Sequence, residues 1–307
     1  MSSVPLDQIV AAAGIEERAN LRTRLAVRGL DGTTLFVLPA LVAIVALFVY
    51  PFLYGLALSF RPKQGGFLGN YTHFFSDPFL YDTIWTTLRI ALPVTILNLA
   101  LAVPIAMRVR LMRRQRLLTT ILVLPVTLGT VLVAEGLLNY LGPQGWFNRT
   151  LIWAGVLSGP VKLTNNYWGV FASLLITGFP FTFLLTLSYV TGIDPALEQA
   201  GAVHGASARQ RFTKIIMPLI LPGLAITFCL SFVQAFAVFP SAVLLGAPAG
   251  ATRVISIAAY QAAFEEYDYS LASAIAMIMG AVQLALVAAV LGLRGLLYRG
   301  PVAGTKG

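Results

Sequence analysis

The sequence predicts an all-α, polytopic membrane protein with six transmembrane helices, and three observations carry that expectation. Of its 307 residues, 58% are hydrophobic and only 11% charged, too little polar material to clothe a water-soluble globule of this size. The apolar residues gather into stretches long enough to cross a bilayer core of about 30 Å. These stretches are continuously apolar, as helices require, whereas the strands of a membrane barrel would alternate with period two.

In chain order the expected spans are Thr34 to Phe60, Tyr81 to Met107, Leu117 to Leu141, Trp168 to Val190, Leu219 to Leu245 and Ser270 to Leu293. They place an N-terminal arm at 1–30, a six-helix domain at 31–300 with a polar loop at 192–218, and a tail at 301–307. The arm carries Asp7, Glu16, Glu17 and four arginines without an apolar core of signal-peptide length, so no cleavage is expected. Ile9, Val10, Ile15, Leu21, Leu25 and Val27 make it loosely amphipathic. That pattern is compatible with a helix lying on the inner membrane face, and equally with a frayed polar leader.

The cations set the orientation. One side collects Arg18, Arg22, Arg24 and Arg28, then Arg108, Arg110, Arg113, Arg114 and Arg116, then Arg209, Arg211 and Lys214, and finally Arg294, Arg299 and Lys306. The other side holds Arg61, Lys63, Arg149, Lys162 and Arg253. The positive-inside rule therefore puts both termini and the 192–218 loop in the cytoplasm. The net charge of +9 is accounted for by this topology, with anionic lipid headgroups as the partners of the arginines and no nucleic acid implied.

Between the fourth and fifth spans lies LEQAGAVHGASARQRFTKIIMPLILP, Leu197 to Pro222, a polar helix-forming loop between two apolar segments. Asp194 is a candidate N-cap with Pro195 at the first helical position, which predicts a short helix through Val203, ended by Gly205. Ser207 and Gln210 have the spacing of a capping box that starts a second helix carrying Arg209, Arg211, Phe212 and Lys214 up to Met217, after which Pro218 leads into the next span. Leu197, Ala200, Gly201 and His204 share one face of the first helix, a small or apolar surface suited to a close-fitting groove.

This loop resembles the EAA motif of ABC importer permeases. Gln199, Ala200 and Gly201 stand at its Glu-Ala-Ala positions, His204, Gly205 and Ala206 at Asp-Gly-Ala, and Ile215 to Pro218 at its exit. The glycine and proline are kept and both acids are replaced, with Glu198 one place early as a substitute for the glutamate. The resemblance implies a type I ABC importer fold in which Glu198 to Ser207, Phe212 and Pro218 form a coupling helix seated on a separate ATP-hydrolysing subunit. From about Leu35 to Leu297 the chain is similar to the spermidine/putrescine permease branch, whose relatives carry ferric iron, thiamine or aminoethylphosphonate. Gly142 to Asn148, reading GPQGWFN, and Ile193 to Pro222 carry that similarity. It implies a bacterial inner-membrane assembly with two ATP-binding subunits, a second homologous permease or a second copy of this chain, and a solute-binding protein. ATP and Mg would then sit on the ATPase partner.

The residues offer no enzymatic grouping. No Gly-x-x-x-x-Gly-Lys-Ser/Thr loop cradles phosphates, a single Cys229 excludes an internal disulfide, and two histidines without an acidic or thiol cluster suggest no metal site. The sequons at Asn70 and Asn148 read as chance matches. Apart from Asp82 at the edge of the second, Arg89 and Glu135 are the only charges inside the expected spans, at depths of about 12 and 9 Å from the outer end. Three readings are compatible with that: a structural ion pair between neighbouring helices, Glu135 facing a central path and attracting a cationic solute, or snorkelling to the surface. Gln234, Phe236 and Phe239, ahead of Pro240, are candidate path residues or, for the phenylalanines, apolar packing. Gly178 to Pro180 is a candidate second kink. An ion-coupled secondary transporter is the rival class, poorly supplied by two intramembrane charges, and a non-transporting membrane scaffold is another.

Overall fold

The computed structural model describes residues 32–297, excluding the side chains of 32–35, Val126 and 296–297. The N-terminal arm and the 301–307 tail of the sequence reading lie outside the described residues. Two compact units are present, 1–57 and 58–307. The described part of the first is the opening run of α1, which comprises Gly32–Ile44, a π-turn Val45–Val49 and Tyr50–Ser59.

The second unit contains the remaining helices. They are α2 (Gly69–Ser76), α3 (Pro78–Val109), α4 (Gln115–Leu141), α5 (Trp146–Trp153), α6 (Tyr167–Thr191), α7 (Pro195–Val203), α8 (Ala208–Phe236), α9 (Pro240–Leu245), α10 (Ile255–Tyr260) and α11 (Tyr269–Leu297). Among the described residues five helices are long and apolar enough to cross a membrane, and a bent pair makes a sixth. All six expected spans are thus met, with two changes of geometry.

The first change is in α4. Gln115–Pro125 and the stretch Thr127–Trp153, which runs from the rest of α4 through α5, are bent by 58° to each other. Pro125 removes a helical donor, and Gly129 adopts φ +75°, ψ +161°, a region essentially closed to side-chain-bearing residues. Gly129→Ala is expected to cost about 1–3 kcal/mol through backbone strain alone, since a Cβ there meets no atom within 4 Å. Thermal unfolding of the purified variant checks this, and an unchanged midpoint would show that the break at Gly129 is relaxed elsewhere.

The second change is at the end of the fifth span, expected to run to Leu245. Instead α8 stops at Phe236, Phe239 leaves the helical region (φ −134°, ψ −59°), and Pro240 opens the separate helix α9. The proline begins a helix, where its missing N–H is harmless, and does not kink one. The candidate kink at Gly178 to Pro180 does not materialise as a break either: α6 runs through Pro180 without interruption.

Helix association inside lipid depends on close packing, because the hydrocarbon is as apolar as leucine. α3, α6 and α8 accordingly meet through small residues. Ala102 and Ala106 of α3 are fully buried, and a Cβ on Gly223 of α8 would overlap the Tyr189 ring of α6. The half of this bundle toward the 192–218 loop is an inner apolar layer around Val103, Phe183, Leu187, Val190, Ile216 and Ile220. The other half holds two layers, one around Ile90, Val94, Val170 and Ala242, the other around Phe74, Phe232, Phe236, Ile255 and Ile275.

The connections at the end of the bundle opposite the 192–218 loop are anchored by polar side chains. Asn148, fully buried in the GPQGWFN segment, donates to Gly142 O at 2.9 Å and Val161 O at 3.0 Å and accepts from Val161 N at 2.8 Å. Asn70 is 6% exposed and donates to Ser59 O, so both sequon asparagines are consumed by the fold. Arg253 is buried, donates to Phe79 O at 2.6 Å and to Gln261 Oε1 at 2.9 Å, and stacks over the Phe79 ring at 3.8 Å. Burial lowers its pKa, against the pull of Glu266, Asp77 and Glu265.

Asp268 caps α11, accepting from Leu271 N at 2.9 Å and Ser270 Oγ at 2.8 Å, and pairs with Lys63 at 3.4 Å. Burial pushes its carboxyl up, but these hydrogen bonds and the ammonium outweigh it and leave the pKa below the usual value. The resulting stabilisation is complete above the unfolded pKa of about 3.9 and is lost as pH falls through the lower folded value. Hydrogen exchange at 63–72 and 266–271 is therefore expected to accelerate below about pH 4, and Asp268→Asn to remove that acid dependence.

Candidate functional site

The loop between α6 and α8 folds as its residues dictate. Asp194 Oδ1 accepts from Ala196 N at 2.8 Å and Pro195 occupies the first turn of α7. The helix ends in a Schellman motif: Ala206 N bonds Gly201 O at 2.9 Å, Gly205 N bonds Ala202 O at 3.0 Å, and Gly205 has φ +78°. Ser207 and Gln210 form the full capping box, at 3.3 and 2.8 Å. The second helix does not stop at Met217 as expected. It continues into α8 through a π-turn, Phe212–Ile216, in which Met217 N reaches back to Phe212 O. The wider turn puts Pro218 where a donor is dispensable, so the second loop helix and the fifth span are one unbroken helix, Ala208–Phe236.

Side-chain positions refine the expected docking face. Gly201 turns inward, where a Cβ would come within 2.7 Å of Ile215 Cδ1 and 3.4 Å of Arg211 Cγ. The outward surface consists of Ala196, Gln199, Ala200 and Val203, with Leu197, His204 and Gly205 also exposed. Ala206 is half-buried, Ser207 and Pro218 are exposed, and Phe212 packs on the inner apolar layer. Glu198 is engaged within the chain: its carboxylate accepts from Arg110, at the C-terminal end of α3. The Arg110 side chain is 8% exposed and also donates to Val190 O at 3.4 Å near the end of α6. Arg110 thus ties α3, α6 and α7 together, a role that nothing in the sequence singles out from its neighbouring arginines.

Within the bundle a polar band interrupts the apolar layers. On α3, Asn98 sits between Val94 and Ala102; on α6, Thr177 and Thr182 sit between Leu174 and Phe183; on α8, Ser231 sits between Leu224 and Phe232. These residues line a cavity of 110 Å³ that is also bordered by Gln234, Phe239 and Thr130. A second cavity of 130 Å³ shares Thr130, Thr177 and Gln234 with it and opens beside the break of α4 at Gly129.

Of the candidate path residues, Gln234 and Phe239 line the first cavity. Phe236 is fully buried in the apolar layer with Phe232, the packing alternative. Arg89 and Glu135 are both exposed and do not pair; the ion pairs among the described residues are Lys63–Asp268 and Arg110–Glu198. Equal depth was not enough, because α4 packs on α6 and α9 while α3 packs on α6 and α8. Glu135 instead receives Asn139 Nδ2 at 3.4 Å on its own helix. The polar band was missed, although a signal existed: Ser173, Thr177, Thr182 and Thr186 recur at helical spacing along one face of an otherwise apolar span.

This architecture, an all-helical bundle with a capped polar loop at one end and an uncharged polar band inside, defines a multi-pass membrane subunit of a transporter. The chain belongs to the permease family of binding-protein-dependent ABC importers. It is 31% identical over 205 residues to the spermidine/putrescine transport system permease PotB of Haemophilus influenzae, covering 64% of this chain and 71% of that one. It is 27% identical over 262 residues to the trehalose transport system permease SugA of Mycobacterium tuberculosis, covering 80% and 82%. The fold is shared with a chain of a bacterial alginate ABC transporter crystallised with a pentasaccharide-bound periplasmic protein, at 23% identity, TM-score 0.77, and coverage of 92% of this chain and 99% of that one. No family model matches the sequence. The relatives are transporter permease subunits, which makes this chain a non-enzymatic subunit of the inner membrane.

Proposed function

We propose that this chain forms one half of the membrane path of an ATP-driven importer for a small polyamine-like solute. Two ATP-binding subunits, which carry ATP and Mg, drive it through the α7 loop, and a solute-binding protein delivers the cargo at the outer face. A second homologous permease completes the path, and both termini lie in the cytoplasm. The observation that carries this reading is the α7 loop itself: an exposed small-residue surface, Ala196, Gln199, Ala200 and Val203, held rigid by three capping devices and by Arg110. Rigidity matters because alternating access needs motion of the ATPase to reach the spans undiminished. Closure of the ATPases on ATP pulls the loop, and because the loop continues into α8 and is pinned to α3 and α6, three spans move with it. The polyamine-like cargo is supported by the similarity to spermidine/putrescine permeases.

The test is assembly and coupling. The chain co-expressed with the subunits encoded beside it is expected to co-purify with an ATPase that cross-links to a cysteine introduced at Val203. In proteoliposomes, ATP hydrolysis should rise when binding protein loaded with putrescine or spermidine is added. A complex with no ATPase at the loop, or one whose hydrolysis ignores both polyamines, would contradict the assignment.

A further inference from the structure

Beside α7 lies a cavity of 300 Å³, bounded by the C-terminal ends of α3 and α6 and the first turn of α8. Its charged lining consists of Arg110, Glu198 and Arg211. Arg110 and Glu198 form an ion pair and cancel. Arg211 has no such partner: the ion pairs among the described residues are Lys63–Asp268 and Arg110–Glu198, and its guanidinium makes no hydrogen bond within the chain. The cavity therefore keeps one uncompensated positive charge. Arg211 is half-buried, and its aliphatic stem lies against α7 at Gly201, where a Cβ would stand 3.4 Å from Cγ and 3.6 Å from Cδ. Asp194 and Glu198 are the only acids in 192–218 and the 108–116 connection, whose other charges are all cations, so the surrounding potential also favours an anion.

Gln199 belongs both to this cavity and to the outward surface of α7. It stands where the EAA motif has its glutamate, so the chain lacks the carboxylate that would face Arg211 from that position. A body seated on Ala196, Gln199, Ala200 and Val203 covers the cavity on its Gln199 side and takes Arg211 further out of water. Shielding a charge in this way is unfavourable unless the covering surface brings the counter-charge. We propose that the ATP-binding subunit inserts an acidic side chain, aspartate or glutamate, into this cavity, where it pairs with Arg211 and accepts from the Gln199 amide. The carboxylate missing from the loop is thus supplied by the partner. Guanidinium and carboxylate match in planar, two-point geometry, which fixes the docked orientation as well as its strength. This inference rests on the importer reading above and deepens it by naming what the ATPase presents to the loop.

The experiment uses the complete transporter, co-expressed with the subunits encoded beside it and held through this chain, and measures retention of the ATPase across a series of salt concentrations. Arg211→Met keeps an unbranched stem and removes the charge; it is expected to weaken retention about tenfold or more and to flatten the salt dependence. Arg211→Lys, with the charge but not the planar fork, should fall between. Gln199→Glu, at an exposed position, places a carboxylate beside Arg211 within the chain and should also weaken retention, because it competes with the partner's acid. Size-exclusion profiles and thermal midpoints identify an Arg211 variant that merely misfolds, and Gln199→Glu then carries the test. Tighter retention by Gln199→Glu, the result for a loop that receives a cation from its partner, overturns the proposal. Unchanged retention in both Arg211→Met and Gln199→Glu does so too and leaves the importer reading intact. Unchanged ATPase retention with loss of co-purified phosphatidylglycerol from Arg211→Met assigns the cavity to a lipid phosphate, again against the proposal. A wild-type chain that holds no ATPase at any salt concentration overturns both.

Discussion

Truncating Arg110 to alanine is expected to disconnect the α7 loop from the spans. The guanidinium is almost fully enclosed, and its loss leaves the Glu198 carboxylate, itself only 24% exposed on its side chain, without a counter-charge. Breaking one partner of a largely buried pair costs about 2–4 kcal/mol, and the freed Val190 carbonyl adds to it. α7 would then swing on the α6–α7 junction, and motion applied to it would no longer reach α3. In the assembled transporter, Arg110→Ala should keep basal ATP hydrolysis, lose most of the stimulation by loaded binding protein, and melt earlier. The exchanged pair Arg110→Glu with Glu198→Arg should recover a large part of both. Full stimulation in Arg110→Ala would show that the ion pair is incidental to coupling.

Gly205 is the second sensitive point, for a different physical reason. It meets no neighbour: a Cβ placed there has open space for 4 Å, so packing cannot explain the residue. Its φ of +78° can, since an L residue in that region costs about 1–2 kcal/mol and a β-branched one more. Gly205→Val should open the Schellman motif and change the angle between α7 and α8, with membrane insertion and span packing untouched. Transport should uncouple from hydrolysis, and Gly205→Asn, which tolerates this backbone conformation, should be close to wild type. Unchanged uptake by Gly205→Val would remove the loop from the mechanism.

These two predictions also mark what could be read without coordinates. Gly205, the Asp194 cap and the Ser207–Gln210 box were legible because each depends on residues within five positions of one another, where backbone geometry leaves few choices. Span positions were legible for a similar reason, since hydrocarbon demands an unbroken apolar length. The continuation of α8 through Pro218 was not legible: a proline usually ends a helix, and the π-turn that accommodates it is chosen by the packing of Phe212 and Ile216 on the inner layer. Nor was the pairing of Arg110 with Glu198, which are 88 residues apart. Arg89 and Glu135 illustrate the converse error, two charges matched in depth on helices that do not face each other.

The sequence by itself determined that this chain is a bundle of membrane helices with a rigid, small-residue loop on the cation-rich side, because composition, apolar length and capping chemistry act over short distances. Which helices are neighbours, and so which polar residues meet, was decided by tertiary structure alone. Asn98, Thr177 and Ser231 lie on three different spans, and only the close approach of those helices, permitted by residues as small as Gly178 beside Asn98 and Gly223 beside Tyr189, turns three scattered polar side chains into one cavity wall.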